Sequence, residues 1–155
     1  MLFYLAESSG IASFLKMPFG RRGGIGKRKA VTMEPRKILL VDDSETILMM
    51  EQMILKKDGY EILTAKNGKE GVAKAIESKP DLILMDVVMP EMNGFEAVKQ
   101  LRQHEALRNI PIVMVTTESE ADSMEAGYEN GCSDYIIKPI DRRELVTKVQ
   151  SLLGE

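Results

Sequence analysis

Leu82-Ile83-Leu84-Met85-Asp86-Val87-Val88-Met89-Pro90-Glu91-Met92-Asn93-Gly94 decides how this chain folds. Four apolar residues in a row, preceded by Pro80 and Asp81, read as a strand buried on both faces of a parallel sheet, because a strand with one wet face alternates apolar and polar residues. A carboxylate ends the run. In a parallel sheet Asp86 then stands at the carboxyl end of a central strand, the edge where open α/β sheets build their sites. Pro90 and Asn93-Gly94 break the chain into a loop before the next helical pattern. An isolated Asp in such a place more often ends a strand than does chemistry, so the ends of the other strands carry the decision.

Upstream, Ile38-Leu39-Leu40-Val41 reads as a buried strand ended by Asp42-Asp43. Ser44 is placed to cap a helix whose apolar positions Ile47, Met50 and Ile54, flanked by Leu48 and Leu55, follow helical spacing; Asp58-Gly59 stops it. Tyr60-Glu61-Ile62-Leu63-Thr64 is a second strand, and Asn67-Gly68 leads into a helix carrying Val72, Ala75 and Ile76. Downstream of the central strand, Phe95, Val98 and Leu101 mark a helix, and Pro111 introduces the strand Ile112-Val113-Met114-Val115, ended by Thr116-Thr117. A weaker helical pattern around Ala121, Met124 and Tyr128 leads to Gly131. The fifth strand is Tyr135-Ile136-Ile137, ended by Lys138-Pro139, and Asp141 with Glu144 forms a capping-box pair for a last helix with Leu145, Val149, Leu152 and Leu153 inward.

Five strands alternating with five helices predict a doubly wound α/β fold, a parallel sheet covered on both faces. Strands in such a sheet point the same way. The residues that end the first, third, fourth and fifth strands, Asp42-Asp43, Asp86, Thr116 and Lys138, therefore collect along one edge.

Composition narrows the classes. The single cysteine, Cys132, excludes an intramolecular disulfide framework and fits a reducing compartment, and it reads as packing material. Apolar runs are too short to span a bilayer, so the expectation is a soluble, cytoplasmic protein. Residues 1 to 37 hold 8 Lys and Arg against 2 Asp and Glu, a balance of +6, whereas the remainder holds 13 against 22, a balance of −9. An acidic body argues against nucleic acid as a direct partner. The domain boundary falls there: residues 1–36 read as a basic N-terminal extension without a fold and 37–155 as the folded domain. The extension is no secretory signal, since Glu7 interrupts its apolar part and the basic cluster from Arg21 to Lys29 follows it. A polybasic membrane anchor is the lesser reading, against an unfolded upstream stretch with the working start at Met33.

Three carboxylates and one ammonium in a shallow cleft do not neutralise themselves. Two carboxylates ~5 Å apart repel by roughly 3 kcal/mol at an effective dielectric of about 20, so the edge favours a hard dication, and oxygen ligands with retained water suit Mg2+. A dication beside a reactive carboxylate neutralises an incoming phosphoryl group and holds it in line for attack. Asp86 is the natural nucleophile, Lys138 pairs with phosphoryl oxygens, and Thr116 donates a hydroxyl hydrogen bond.

These residues resemble the receiver domain of bacterial two-component response regulators, the CheY-like fold. The likeness runs from about Lys37 to Leu153 and includes Asp42-Asp43, the Leu-Met-Asp-Val-Val-Met-Pro-Glu-Met-Asn-Gly run around Asp86, Thr116, and Tyr135-Ile136-Ile137-Lys138-Pro139. The resemblance implies a sheet order of 2-1-3-4-5, shared with flavodoxin, and phosphorylation of Asp86 by a sensor histidine kinase, a phosphotransfer protein or a small phosphodonor. It also implies Mg2+ held by Asp43, Asp86 and the Val88 carbonyl with Asp42 acting through water, and Thr116 with Tyr135 as a switch pair. Lys138, before a cis Pro139, is implied to hold the phosphoryl group. With no output domain after Glu155, the expectation is a single-domain regulator, not an enzyme, that acts by docking its phosphorylated face on an unidentified protein.

Val88 is apolar where many relatives are polar, and Thr117 is bulkier than the small residue usual after the switch Thr. Neither changes the assignment. Two other classes fit less well. A Mg2+-dependent phosphohydrolase resembling the haloacid dehalogenase family wants a second carboxylate where Val88 stands, and a flavodoxin-like FMN binder wants a hydroxyl- and Gly-rich phosphate loop where Asp42-Asp43 stand. The lone His104 reads as an exposed residue at a helix end, and the methionines as packing.

Overall fold

A computed structural model of the chain describes residues 34–117 and 131–155. Five parallel strands, β1 (Lys37–Val41), β2 (Glu61–Ala65), β3 (Leu82–Asp86), β4 (Ile112–Thr116) and β5 (Asp134–Ile137), lie in the order β2-β1-β3-β4-β5. Among the described residues they alternate with four α-helices, α1 (Glu45–Lys56), α2 (Gly68–Ser78), α3 (Gly94–Arg102) and α4 (Arg142–Leu153), and a 3-10 turn at Glu105–Leu107. The doubly wound order is the one expected. The helix read around Ala121, Met124 and Tyr128 lies outside the described residues, as does the N-terminal stretch 1–33.

Every residue of β3 and of β4 is buried, which is why both read as unbroken apolar runs. Side-chain alternation divides them between two layers. Leu39, Ile83, Ile112 and Met114 join Val72, Ala75, Val98 and Leu101 of α2 and α3 on one face. Leu40, Leu84, Val113 and Ile136 join Leu48, Leu55, Leu145 and Val149 of α1 and α4 on the other. Each such Leu or Ile contributes roughly 1.5 to 3 kcal/mol on burial. The two layers pin the register, since a slip by one residue would exchange them. In that register Asp86 stands opposite Val115.

Helix ends follow local chemistry, with two corrections. Ser44 caps α1 by accepting from the Ile47 amide at 3.3 Å, as its position predicts. The buried stripe of α1, however, is Leu48, Glu51 and Leu55, one residue on from Ile47, Met50 and Ile54. Asp141 caps α4 by accepting from the Glu144 amide at 2.8 Å, but the Glu144 carboxylate faces Lys148 at 3.5 Å in place of closing a capping box. The reciprocal box stands instead at α3, where the Asn93 side chain accepts from the Glu96 amide and the Glu96 carboxylate accepts from the Asn93 amide, both at 2.9 Å. No helix among the described residues is long and apolar enough to cross a membrane.

The loop from β3 to α3 contains a non-glycine residue in left-handed backbone, Glu91 at φ 70°. A Cβ in that region costs about 1 to 2 kcal/mol, part of which glycine returns as unfolded-state entropy. Glu91→Gly is therefore expected to stabilise the fold by about 1 kcal/mol in urea denaturation. A loss of stability would show that the Glu91 side chain holds the loop.

Candidate functional site

The carboxyl ends of β1 and β3 bring the acidic residues together. Asp42, Asp43 and Asp86 each place one carboxylate oxygen within 4.8 Å of the others'. Asp42 and Asp86 continue the faces of Leu40 and Leu84 and are buried, whereas Asp43, past the end of β1, is exposed. The Asp42 Oδ1 accepts from the Ser44 amide at 2.8 Å, so the residue that caps α1 also orients the acid. Its Oδ2 is buried and accepts no hydrogen bond, facing only a cation at ion-pair distance, and a buried carboxylate oxygen so incompletely satisfied is costly.

Lys138, just past β5, reaches across the sheet edge. Its ammonium donates to Asp86 Oδ1 at 3.0 Å and lies 3.5 Å from Asp42 Oδ2. Burial alone would lower the Lys138 pKa; the hydrogen bond to Asp86 and the charges of Asp86 and Asp42 outweigh it and raise the value. The Lys138-Pro139 bond is cis, as the resemblance implied, and the Lys138 amide donates to the Thr116 carbonyl at 2.6 Å.

One ammonium does not balance three carboxylates. Burial, then the charge of Asp42, push the Asp86 carboxyl up to about 6, with Lys138 opposing. Burial likewise raises Asp42, against the Ser44 amide and Lys138. The pocket resists carrying its full negative charge, which a hard dication relieves. The donor set is all oxygen, and Asp42 Oδ2, buried without a hydrogen bond and 3.5 Å from the Lys138 ammonium, offers an acceptor for a metal-bound water; both fit Mg2+.

Gly94 holds the loop against this site. A Cβ there would lie 2.2 Å from the Asp86 carbonyl oxygen and 2.7 Å from Met114 Cε, so α3 can start beside Asp86 only without a side chain. In the sequence Gly94 is a turn signal after Asn93, and spacing does not reveal this contact. Thr116 ends β4 beside the site and is buried; Tyr135 is buried in the layer of Leu101 and Met114. Val88, by contrast, is 57% exposed. His104 is exposed beyond α3, and Cys132 is buried, as read.

Comparison with known proteins agrees with this geometry. The family model of the response regulator receiver domain matches residues 38–150. Protein PilH of Pseudomonas aeruginosa is 40% identical over 118 residues, 76% of this chain and 98% of that protein. The alkaline phosphatase synthesis transcriptional regulatory protein PhoP of Bacillus subtilis is 42% identical over 118 residues, but the chain spans only 48% of its length. Among solved structures, the Vibrio cholerae chemotaxis protein CheY4 superposes with a TM-score of 0.73 at 37% identity, covering 77% of this chain and 99% of that one. The receiver domain of sensor histidine kinase PA1611 from Pseudomonas aeruginosa, which holds a magnesium ion in its active site cleft, gives 0.73 at 30% identity over 79% of this chain and all of its own. The chain belongs to the response regulator receiver domain family and has its CheY-like fold.

Proposed function

We propose that this receiver accepts a phosphoryl group on Asp86 in a Mg2+-dependent reaction and signals by phosphorylation-dependent docking on another protein. The observation that carries the reading is Asp86 itself, a buried carboxylate at the end of the central strand, 3.0 Å from the Lys138 ammonium and within 4.8 Å of two further carboxylates. Incubation with acetyl phosphate and Mg2+ is expected to add one phosphoryl group to the intact chain by mass spectrometry. No addition would refute the reading.

In the reaction an oxygen of Asp86 attacks phosphorus while the bond to the donor's leaving group breaks, and the electron pair departs with that group. Asp43, Asp86 and the Val88 carbonyl would hold the ion, with Asp42 acting through water, and a dication bound there would supply positive charge against the transferring oxygens. Lys138 exchanges its contact with Asp86 for a phosphoryl oxygen. Thr116 donates its hydroxyl to another and, with Tyr135, passes the change to the surface. The phosphodonor is a sensor histidine kinase or phosphotransfer protein, and the protein works in the cytoplasm. Residues 37–155 carry this chemistry and 1–36 stand outside it, since every site residue lies beyond Met33. Slow turnover as a phosphohydrolase is disfavoured by Val88, which offers no second acid.

Val88 also sets the lifetime of the phosphorylated state. Hydrolysis needs a water in line with the scissile bond, and a polar side chain at this position would hold one. Val88 is exposed to solvent yet has no group to orient it. The Val88→Asn variant is expected to lose its phosphoryl group about one to two powers of ten faster, or ~1.4 to 2.7 kcal/mol in barrier. Decay after removal of donor measures this, and equal lifetimes would assign the water to another group.

A further inference from the structure

The buried face of α1 carries one residue that packing does not explain. Glu51 stands between Leu48 and Leu55 and is 2% exposed, in the layer formed by Leu40, Leu84, Val115 and Ile136. No group among the described residues donates a hydrogen bond to it or pairs with it as an ion, so an isolated carboxyl occupies an apolar position. It lies about two turns, roughly 10 Å, along α1 from the Ser44 cap, outside the set of carboxylates at the sheet edge.

Its electrostatic surroundings are nonetheless those of the acidic pocket. The charged groups that act on it from the adjoining elements are Asp42 at the end of β1, Asp86 at the end of β3 and Lys138 after β5. The final helix offers Leu145 and Val149 to this layer, and its Arg142 lies at the surface against Met53, Ile54 and Lys57 of α1. The two carboxylates and the ammonium leave a net negative field at Glu51. Burial, and then the Asp42 charge, push the Glu51 carboxyl up to about 8. Near neutral pH it holds its proton.

We propose that Glu51 is a proton-holding group coupled to the acidic pocket, neutral while the pocket lacks a cation and releasing its proton when a dication binds at Asp42, Asp43 and Asp86. The inference rests on the metal reading above. A dication offsets the net negative charge of Asp42, Asp43, Asp86 and Lys138 and so weakens the field that helps hold the proton on Glu51. By linkage, a group that loses a proton on binding makes affinity rise with pH. The Asp86 carboxyl, at about 6, is largely ionised by pH 7.5. Asp42 is raised as well, so it is the part of the proton release lost on changing Glu51 that reports on Glu51. One consequence is that a small rise in cellular pH would favour the metal-loaded receiver and its phosphorylation.

The test measures Mg2+ binding by calorimetry from pH 7 to 9, with proton release followed by an indicator dye, in the full chain and in Glu51→Gln and Glu51→Leu. The first variant keeps the shape, and the second fills the apolar position, so at least one retains the fold. In the native chain Mg2+ affinity should rise about three- to tenfold over this range with a fraction of a proton released per ion; in both variants it should be nearly flat. The same pH dependence in native chain and variants would overturn the proposal. Failure of every form to bind Mg2+ would instead refute the metal reading. A metal-independent arm separates the two: without added metal, the midpoint of thermal unfolding of Glu51→Gln should exceed the native value by a margin that widens from pH 5 to pH 8. A margin that does not change with pH would show that Glu51 is already ionised in the fold, and the proposal would fall.

Discussion

Asp86→Asn is expected to abolish phosphoryl incorporation and, in the same protein, to raise stability. An asparagine oxygen can still accept the Lys138 bond, which in the native chain spans 3.0 Å, so the geometry survives while the anionic nucleophile is lost. The stability gain follows from linkage. Burial pushes the Asp86 carboxyl from 3.8 up to about 6, so the folded state holds that proton more tightly than the unfolded one. The charged form thus weakens the fold fully above pH 6, and its cost fades as pH falls toward 3.8. The shift, in which the opposing Lys138 attraction is already included, corresponds to roughly 3 kcal/mol in favour of the variant at pH 8. Urea titrations at pH 8 and pH 4 should show that gap wide and then narrow. Phosphorylation undiminished in the variant would falsify the nucleophile assignment, and a pH-independent gap would refute its electrostatic basis.

Removal of the divalent ion is expected to have the next largest effect. An anionic donor entering the pocket meets Asp42, Asp43 and Asp86, and Lys138 alone offsets only one of them. Excess EDTA, or Asp43→Ala, should therefore slow labelling of Asp86 by about two powers of ten or more, the loss that follows when one well-placed stabiliser of transition-state charge is taken away. Asp43 is the better residue to change because it is exposed, so its loss leaves the core intact. Rates unaffected by chelation would mean that phosphoryl transfer takes place elsewhere.

How much of this was legible beforehand differs between elements for physical reasons. β3 and β4 are buried on both faces, so their runs could be read without knowing their neighbours, and the strand ends gave Asp42, Asp86, Thr116 and Lys138 directly. The phase of α1 could not be read in this way. Ile47, Leu48, Met50, Ile54 and Leu55 form two overlapping apolar stripes, and the choice between them is made by how the helix lands on the sheet after Ser44. That choice buries Glu51 and leaves Met49 and Met53 exposed, the reverse of what side-chain polarity suggests. At α4 the Asp141 and Glu144 spacing suited a capping box, but Lys148, one turn on, competes for the Glu144 carboxylate. The close approach of Gly94 to the Asp86 carbonyl is a tertiary contact that only the folded chain reveals.

The central claim is that the phosphoryl group resides on Asp86. Its most direct test exploits the acyl phosphate that such a transfer must form: borohydride reduces it to the alcohol and converts the modified aspartate to homoserine. After treatment with acetyl phosphate and Mg2+ followed by borohydride, peptide sequencing by mass spectrometry should find homoserine at position 86 and at no other aspartate. Homoserine at position 42 or 43, or a phosphoryl group that survives reduction on a hydroxyl or on His104, would contradict the account.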